Sequence, residues 1–177
     1  GMSEKDYVLK PRVIESQSRP GCLLHYKKTD QTHLALGARA YNLFQPEKYA
    51  QEILAHILGG MMSSRLFVRV RERSGLAYYV RTESSSDTDT GYLVSQAGVD
   101  NKRVEKAIFL ILKEYKKIAS QKVPSRELKK AKDHIKGKMA LTLESSDSKA
   151  SFYGAQELLE RKILTSGEIY DKIDKVE

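Results

Sequence analysis

Arg71 and Tyr78 stand seven residues apart in the stretch Leu58 to Val80, LGGMMSSRLFVRVRERSGLAYYV. A guanidinium is a permanent cation with several donors, and a phenol donates one hydrogen bond. Together such groups suit an oxygen that gains negative charge during a reaction. The bland alternative is that Arg71 supports a helix C-terminus electrostatically and that Tyr78 packs. Four other candidates are weaker. Gly59, Gly60, Ser63, Ser64 and Arg65 could form an anion-binding loop, but the spacing is not that of a phosphate loop and no Gly-Lys-Ser or Gly-Lys-Thr follows, which favours a structural turn. Cys22 has no paired base in the sequence and reads as a small buried apolar residue. His33 falls on the polar face of its strand and is expected to be exposed. Glu144, beside Ser145 and Ser146 at a helix end, reads as a surface or capping residue.

The elements that must position Arg71 and Tyr78 follow from local chemistry. Gly59 and Gly60 are expected to close an apolar helix through the left-handed conformation. A new helix then starts near Ser63 or Ser64, either hydroxyl serving as its cap, with Leu66, Phe67 and Val70 on its apolar face. Gly75 stops that helix, and Leu76–Val80 switches to the β-branched and aromatic residues of a strand. Arg71 thus lies in the last helical turn and Tyr78 on the strand, so both can point at one ligand.

Around this segment, residues 1–20, with Pro11 and Pro20, read as an extended lead-in, and residues 21–177 as a single domain. Cys22–Lys28 is expected to form a short strand. Leu34, Leu36, Ala38 and Ala40 alternate as one buried strand face. Pro46 opens a helix with the stripe Tyr49, Ile53, Leu54, Ile57 and Leu58. Strands at about 76–85 and 91–99 are joined as a hairpin by the polar run 84–91. Asp100 caps a helix carrying Val104, Ile108, Ile111, Tyr115 and Ile118. Pro124 begins another, with Leu128, Ala131, Ile135 and Met139 inward and Gly137 allowing a close neighbour. Asp147 caps a third, containing Phe152, Ala155, Leu158 and Leu159, and Thr165–Glu168 is the capping box of a last short helix. This order indicates an α+β domain, a largely antiparallel sheet with helices packed on one face.

Composition agrees. The 177 residues, 40% of them hydrophobic, suffice for one domain with a substantial core. A single cysteine rules out an internal disulfide and suggests a reducing, cytoplasmic compartment. No apolar run approaches the ~20 residues a membrane span needs, and no signal peptide opens the chain. The net charge of +8 is concentrated in residues 101–140, where thirteen Lys or Arg face four acids. These fall on two helices with apolar opposite faces, the pattern of solvated surfaces; a basic surface for a polyanion or a peptide channel is the alternative. No aromatic-rich motif or recognition-helix pattern supports nucleic acid.

Several segments together resemble the second-domain signature of the pitrilysin/insulinase-type zinc metallopeptidases, the family that includes the mitochondrial processing peptidases. They are Gln31-Thr32-His33-Leu34-Ala35-Leu36-Gly37, Leu58-Gly59-Gly60-Met61-Met62-Ser63-Ser64-Arg65-Leu66-Phe67, Arg71 with Gly75-Leu76-Ala77-Tyr78, Asp89-Thr90-Gly91, and Leu141-Thr142-Leu143-Glu144-Ser145. The resemblance covers roughly residues 30–176. It implies one half of a metallopeptidase of the mitochondrial processing peptidase type, in which Arg71 and Tyr78 bind substrate beside a zinc held by the other half. Zinc in that family sits on an inverted His-x-x-Glu-His helix. His25, His33, His56 and His134 offer no such pair, so no metal ligand and no catalytic residue is expected in this chain alone, and zinc is expected in the missing metal-binding half. The family places a further strand after the last helix, which implies a domain cut short of it. The function implied is the substrate-binding C-terminal domain of a zinc-dependent metalloendopeptidase, with the metal-binding half and a peptide as partners, and neither nucleic acid nor membrane. A non-catalytic partner or assembly subunit of the same fold is the alternative, and a basic nucleic-acid-binding domain a more remote one.

Overall fold

In the computed structural model, which describes residues 10, 11 and 13–177, three strands meet in the order β1-β3-β2. Strand β1, Gln31–Arg39, and strand β2, Ala77–Ser86, both run antiparallel to the central β3, Gly91–Asp100. The expected hairpin joins β2 to β3, its turn closed by Asp87 N–H donating to Thr90 O at 2.8 Å. Alternation sets the two faces: Leu93, Ser95, Ala97 and Val99 of β3 point into the core, as do Leu34 and Leu36 opposite them. Gln96, Gly98, His33 and Arg81 lie on the other face.

Helices cover the inward face. Helix α1, Lys48–Ala55, continues as a π-helical turn through Gly60. Helix α2, Val104–Ser120, follows a 3₁₀ turn capped as expected by Asp100, which accepts from Lys102 N–H at 2.7 Å. Its most buried residues are Ala107, Leu110, Ile111 and Glu114, with Val104, Tyr115 and Ile118 flanking them. The buried face is thus rotated about one position from the expected stripe, and the Tyr115 hydroxyl donates to the buried Ser95 Oγ at 2.7 Å. Leu58, Leu66, Val70, Val80, Ala97, Val99 and Ile111 form the main core. Each of the Leu, Ile and Val side chains contributes about 1.5–3 kcal/mol by leaving water. Helix α3, Ser125–Thr142, and helix α5, Ser166–Asp174, pack Ala131, Ile135 and Ile173 against Ile53 of α1 and Ile57 of its π-turn in a second cluster. The basic face of α3 is partly consumed here: Lys136 pairs with Asp174 at 2.8 Å and Lys132 donates to the Asp174 carbonyl.

Four local expectations change. Cys22–Lys28 forms no strand, since among the described residues no ladder partner lies beside it; Leu23 and Leu24 are exposed, and so is Cys22. Gly137 is exposed with open space where a side chain would go, so it serves no close approach. Ser145, not Asp147, caps helix α4, Ser146–Glu160, by accepting from Ser148 N–H at 3.2 Å; Asp147 lies in the first turn, where its charge suits the dipole. Leu158 and Leu159 of α4 are exposed, whereas Gln156 is buried and bonds both backbone groups of Leu164. The Thr165–Glu168 capping box forms as expected. The lead-in is tied to the hairpin by Lys10–Asp89 at 2.8 Å and by Thr90 Oγ1 donating to Glu15 at 2.7 Å; residues 1–9 and 12 of it lie outside the described residues. Among the described residues no helix is long and apolar enough to cross a membrane.

Gly59 and Gly60 are not left-handed. Among the described residues the glycine with positive φ is Gly75, at 55°. Gly59 is needed for close packing: a Cβ there would collide with the backbone and hydroxyl of Thr82 on β2. Gly59→Ala is expected to push α1 off the sheet and cost about 1–3 kcal/mol, read as a lowered urea midpoint. An unchanged midpoint would show that this contact yields freely.

Candidate substrate-binding site

The path from α1 to β2 contains two departures from regular geometry, and each acts on one candidate residue. After the turn at Met61–Ser64 the chain re-enters a helix that widens into a π-helix over Phe67–Glu72, with Arg73 N–H bonding Val68 O five residues back at 2.9 Å. No serine hydroxyl caps it. Ser64 is buried with its Oγ unpartnered, and its carbonyl instead accepts from Val68 N–H. The turn is held by Arg65, whose guanidinium grips Glu127 of α3 with two bonds of 2.8 and 2.6 Å. That grip raises the Arg65 pKa further, so the residue is consumed by structure, as expected for a structural turn. Leu66 and Val70 are fully buried and fix the helix on the core.

π-turns are rare and cluster at functional sites, because the extra residue per turn re-aims the side chains. Here Arg69 and Arg71 diverge. Arg69 Nε lies 3.6 Å from the buried carboxylate of Glu114 on α2. Arg71 is exposed, in no ion pair among the described residues, and its guanidinium carbon sits 5.0 Å from the centre of the Phe67 ring. This stacking steadies a long side chain while leaving its donors outward. Gly75 N–H then bonds Arg71 O at 3.1 Å, and the left-handed Gly75 turns the chain into β2.

The second departure is a β-bulge. Ala77 pairs with Val99 and Tyr79 with Gly98, so Tyr78 has no partner across the ladder. It is the extra residue, and it is 60% exposed. The bulge also inverts the alternation: Ala77 is buried before it, Val80 and Thr82 after it. In a regular strand Tyr78 would share the face of Val80 and point into the core. The bulge ejects it instead. Both candidates therefore present free donors to solvent on either side of the Gly75 turn; no hydrogen bond joins them among the described residues. The sequence carried a sign of this, since apolar Ala77 and Val80 cannot both lie on one face of a strand of period two.

Sequence reasoning missed Tyr79. Its hydroxyl is 3.1 Å from His33 Nδ1, so His33, exposed as expected, nonetheless has a partner. His56, on the π-turn, has Nδ1 3.4 Å from Glu52 Oε1, and its ring is 5.4 Å from that of His134 on α3. Burial, then the charges of His56 and Lys138, hold His134 below the ordinary imidazole value. These groups do not fit zinc: Glu52 is engaged by Ser84 Oγ at 2.8 Å and by His56, and among the described residues no three His, Cys, Asp or Glu side chains are arranged to hold a metal.

An antiparallel sheet with helices packed on one face defines an α+β module. Residues 5–135 match the family described as the peptidase M16 inactive domain, and the chain belongs to that family. The chain is 36% identical over 154 residues to a Bacillus subtilis protein named as an uncharacterized zinc protease, YmxG, covering 87% of this chain and 38% of that relative. It is similar in structure to a conserved protein from Enterococcus faecalis, with a TM-score of 0.73 and 28% identity over 84% of this chain and 35% of the other. A peptidase M16 inactive domain from Pseudomonas fluorescens shares the fold, with a TM-score of 0.75 and 20% identity over 84% of this chain and 36% of that one. The chain thus spans little more than a third of the length of these relatives.

Proposed function

We propose that this chain is the substrate-binding half of a zinc-dependent metalloendopeptidase of the pitrilysin and mitochondrial processing peptidase type, active on peptides only together with a half that carries the metal. What supports this most directly is the pair of irregularities that turn Arg71 and Tyr78 outward, one at the end of a π-helix and one on a bulge, with their donors unspent on the fold. Arg71 captures the backbone of an extended peptide, and Tyr78 donates to the carbonyl oxygen as it gains charge. Zinc belongs to the other half, on the same polypeptide or a separate subunit, and no step here needs this chain to hold it. The family name and the similarity to proteins called zinc proteases support the pairing. In this reading the chain works on peptides, not on nucleic acid or at a membrane, and in the cytoplasm, for which the single Cys22 is the support.

The test is reassembly. Alone, the chain is expected to carry no stoichiometric zinc by elemental analysis and to cleave no peptide. Joined to its metal-binding half, it is expected to support peptide hydrolysis that a chelator abolishes. One tightly held zinc per isolated chain, with chelator-sensitive cleavage, would overturn the assignment of roles.

A further inference from the structure

Tyr79, Gly98 and His33 are register partners across all three strands: Tyr79 on β2 faces Gly98 on β3, which faces His33 on β1. Strands two apart are separated by about 9.5 Å, too far for neighbouring side chains that stand upright on the sheet. Tyr79 spans this gap by lying flat over the central strand. Its ring occupies the space where Gly98 would carry a side chain, since a Cβ there would fall 2.5 Å from Tyr79 Cε1 and 2.9 Å from Cδ1. At the far end the hydroxyl meets His33 Nδ1 at 3.1 Å, the two ring centres 6.0 Å apart. Gly98 is buried beneath the ring although it lies on the helix-free face of the sheet.

Tyr79 is also the residue immediately after the bulge. If the stretch after the bulge slipped by one residue, Ala77 staying opposite Val99, Tyr78 would take the seat over Gly98 and Tyr79 would lose His33 and pass to the other face; if the stretch before it slipped instead, Tyr78 would face Val99 and turn into the core, but only by turning Ala77 out to solvent. We infer that Tyr79, seated over Gly98 and bonded to His33, is a positioning residue that locks the β2 bulge and thereby holds Tyr78 outward beside Arg71. This assignment rests on the reading of Tyr78 as a substrate-binding residue for its functional consequence, but not for its structural one. The role divides by chemistry: the glycine supplies the seat, the aromatic ring the area of contact, and the histidine the end stop that selects one register from two.

The register is measurable without any activity. In the isolated chain, cross-strand nuclear Overhauser contacts report Ala77 against Val99 and Tyr79 against Gly98, and nitration by tetranitromethane reports the accessibility of Tyr78. Tyr79→Ala and Gly98→Ala are expected to abolish this pattern and to slow Tyr78 nitration. Tyr79→Phe, which keeps the ring and loses only the bond to His33, is expected to retain the seat with a mixture of registers, and His33→Ala to match it. Should Gly98→Ala fail to fold, Tyr79→Phe and His33→Ala still decide the matter. In the reassembled peptidase, Tyr79→Ala is expected to lower turnover by about 10²-fold, the loss that a misplacement of about 1 Å brings, with the Michaelis constant little changed. An intact bulge and unaltered Tyr78 nitration in Tyr79→Ala, Tyr79→Phe and His33→Ala overturn the inference. A lost bulge with full peptidase activity upholds the positioning of Tyr78 and removes instead the proposed role of Tyr78 in binding substrate.

Discussion

Tyr78→Phe in the reassembled peptidase is expected to lower turnover by about 10²-fold to 10³-fold, the usual effect of removing one donor from a developing oxyanion. The expectation follows from position. Tyr78 is 60% exposed and unpaired in the ladder, so its hydroxyl does nothing for the fold and its loss leaves stability nearly unchanged. Arg71→Ala acts differently. If its contact to the peptide backbone is equally strong before and during reaction, the Michaelis constant rises while turnover is spared. Arg73→Ala, an exposed position on the same turn, serves as the comparison and is expected to change neither. Steady-state kinetics on the three variants, with zinc content held constant, separate these outcomes. Wild-type rates for both Tyr78→Phe and Arg71→Ala would reduce the pair to ordinary surface residues.

Of the three arginines Arg69, Arg71 and Arg73, Arg69 is the one whose replacement by alanine is expected to destabilise the fold most. Glu114 is 4% exposed on the core face of α2, and Arg69 is the cation beside it. Removing one member of a buried pair leaves the other charge uncompensated, at a cost of about 3–5 kcal/mol; here the lower end applies, because Arg69 itself is partly exposed. For a domain of this size that lowers the thermal midpoint by several degrees. The double variant Arg69→Ala/Glu114→Leu recovers most of the loss, since the penalty comes from the stranded carboxylate and not from the missing attraction. Urea titrations of both variants give the result directly. A single variant as stable as the parent, or a double variant no better than the single, would show that water already reaches Glu114.

Arg69 and Arg71 illustrate what a sequence leaves open, which is not their direction but what each one meets: Glu114 of α2 for Arg69 and the Phe67 ring for Arg71. On an ideal helix, two residues apart means roughly 200° of rotation. Nothing in FVRVRE announces the π-turn that forms there. The same holds for Glu127, whose grip on Arg65 spans 62 residues of sequence.

Hydrophobic periodicity and turn chemistry determined the order of the elements from β1 onward, the α+β class and the hairpin, because a period near two or near 3.6 reflects local backbone geometry that tertiary contacts seldom reverse. Caps at Asp100 and Thr165 were legible for the same reason, each a bond between near neighbours. The order of residues around Arg71 and Tyr78 carries the family resemblance from which their substrate-binding role is proposed. Only the tertiary structure decided how they are presented. Whether Gly59 bends the chain or admits Thr82, whether Tyr78 enters the core or is ejected from it, and whether His33 stands alone or stops Tyr79 depend on which strand lies alongside, and pairing between distant segments leaves no local trace in the sequence.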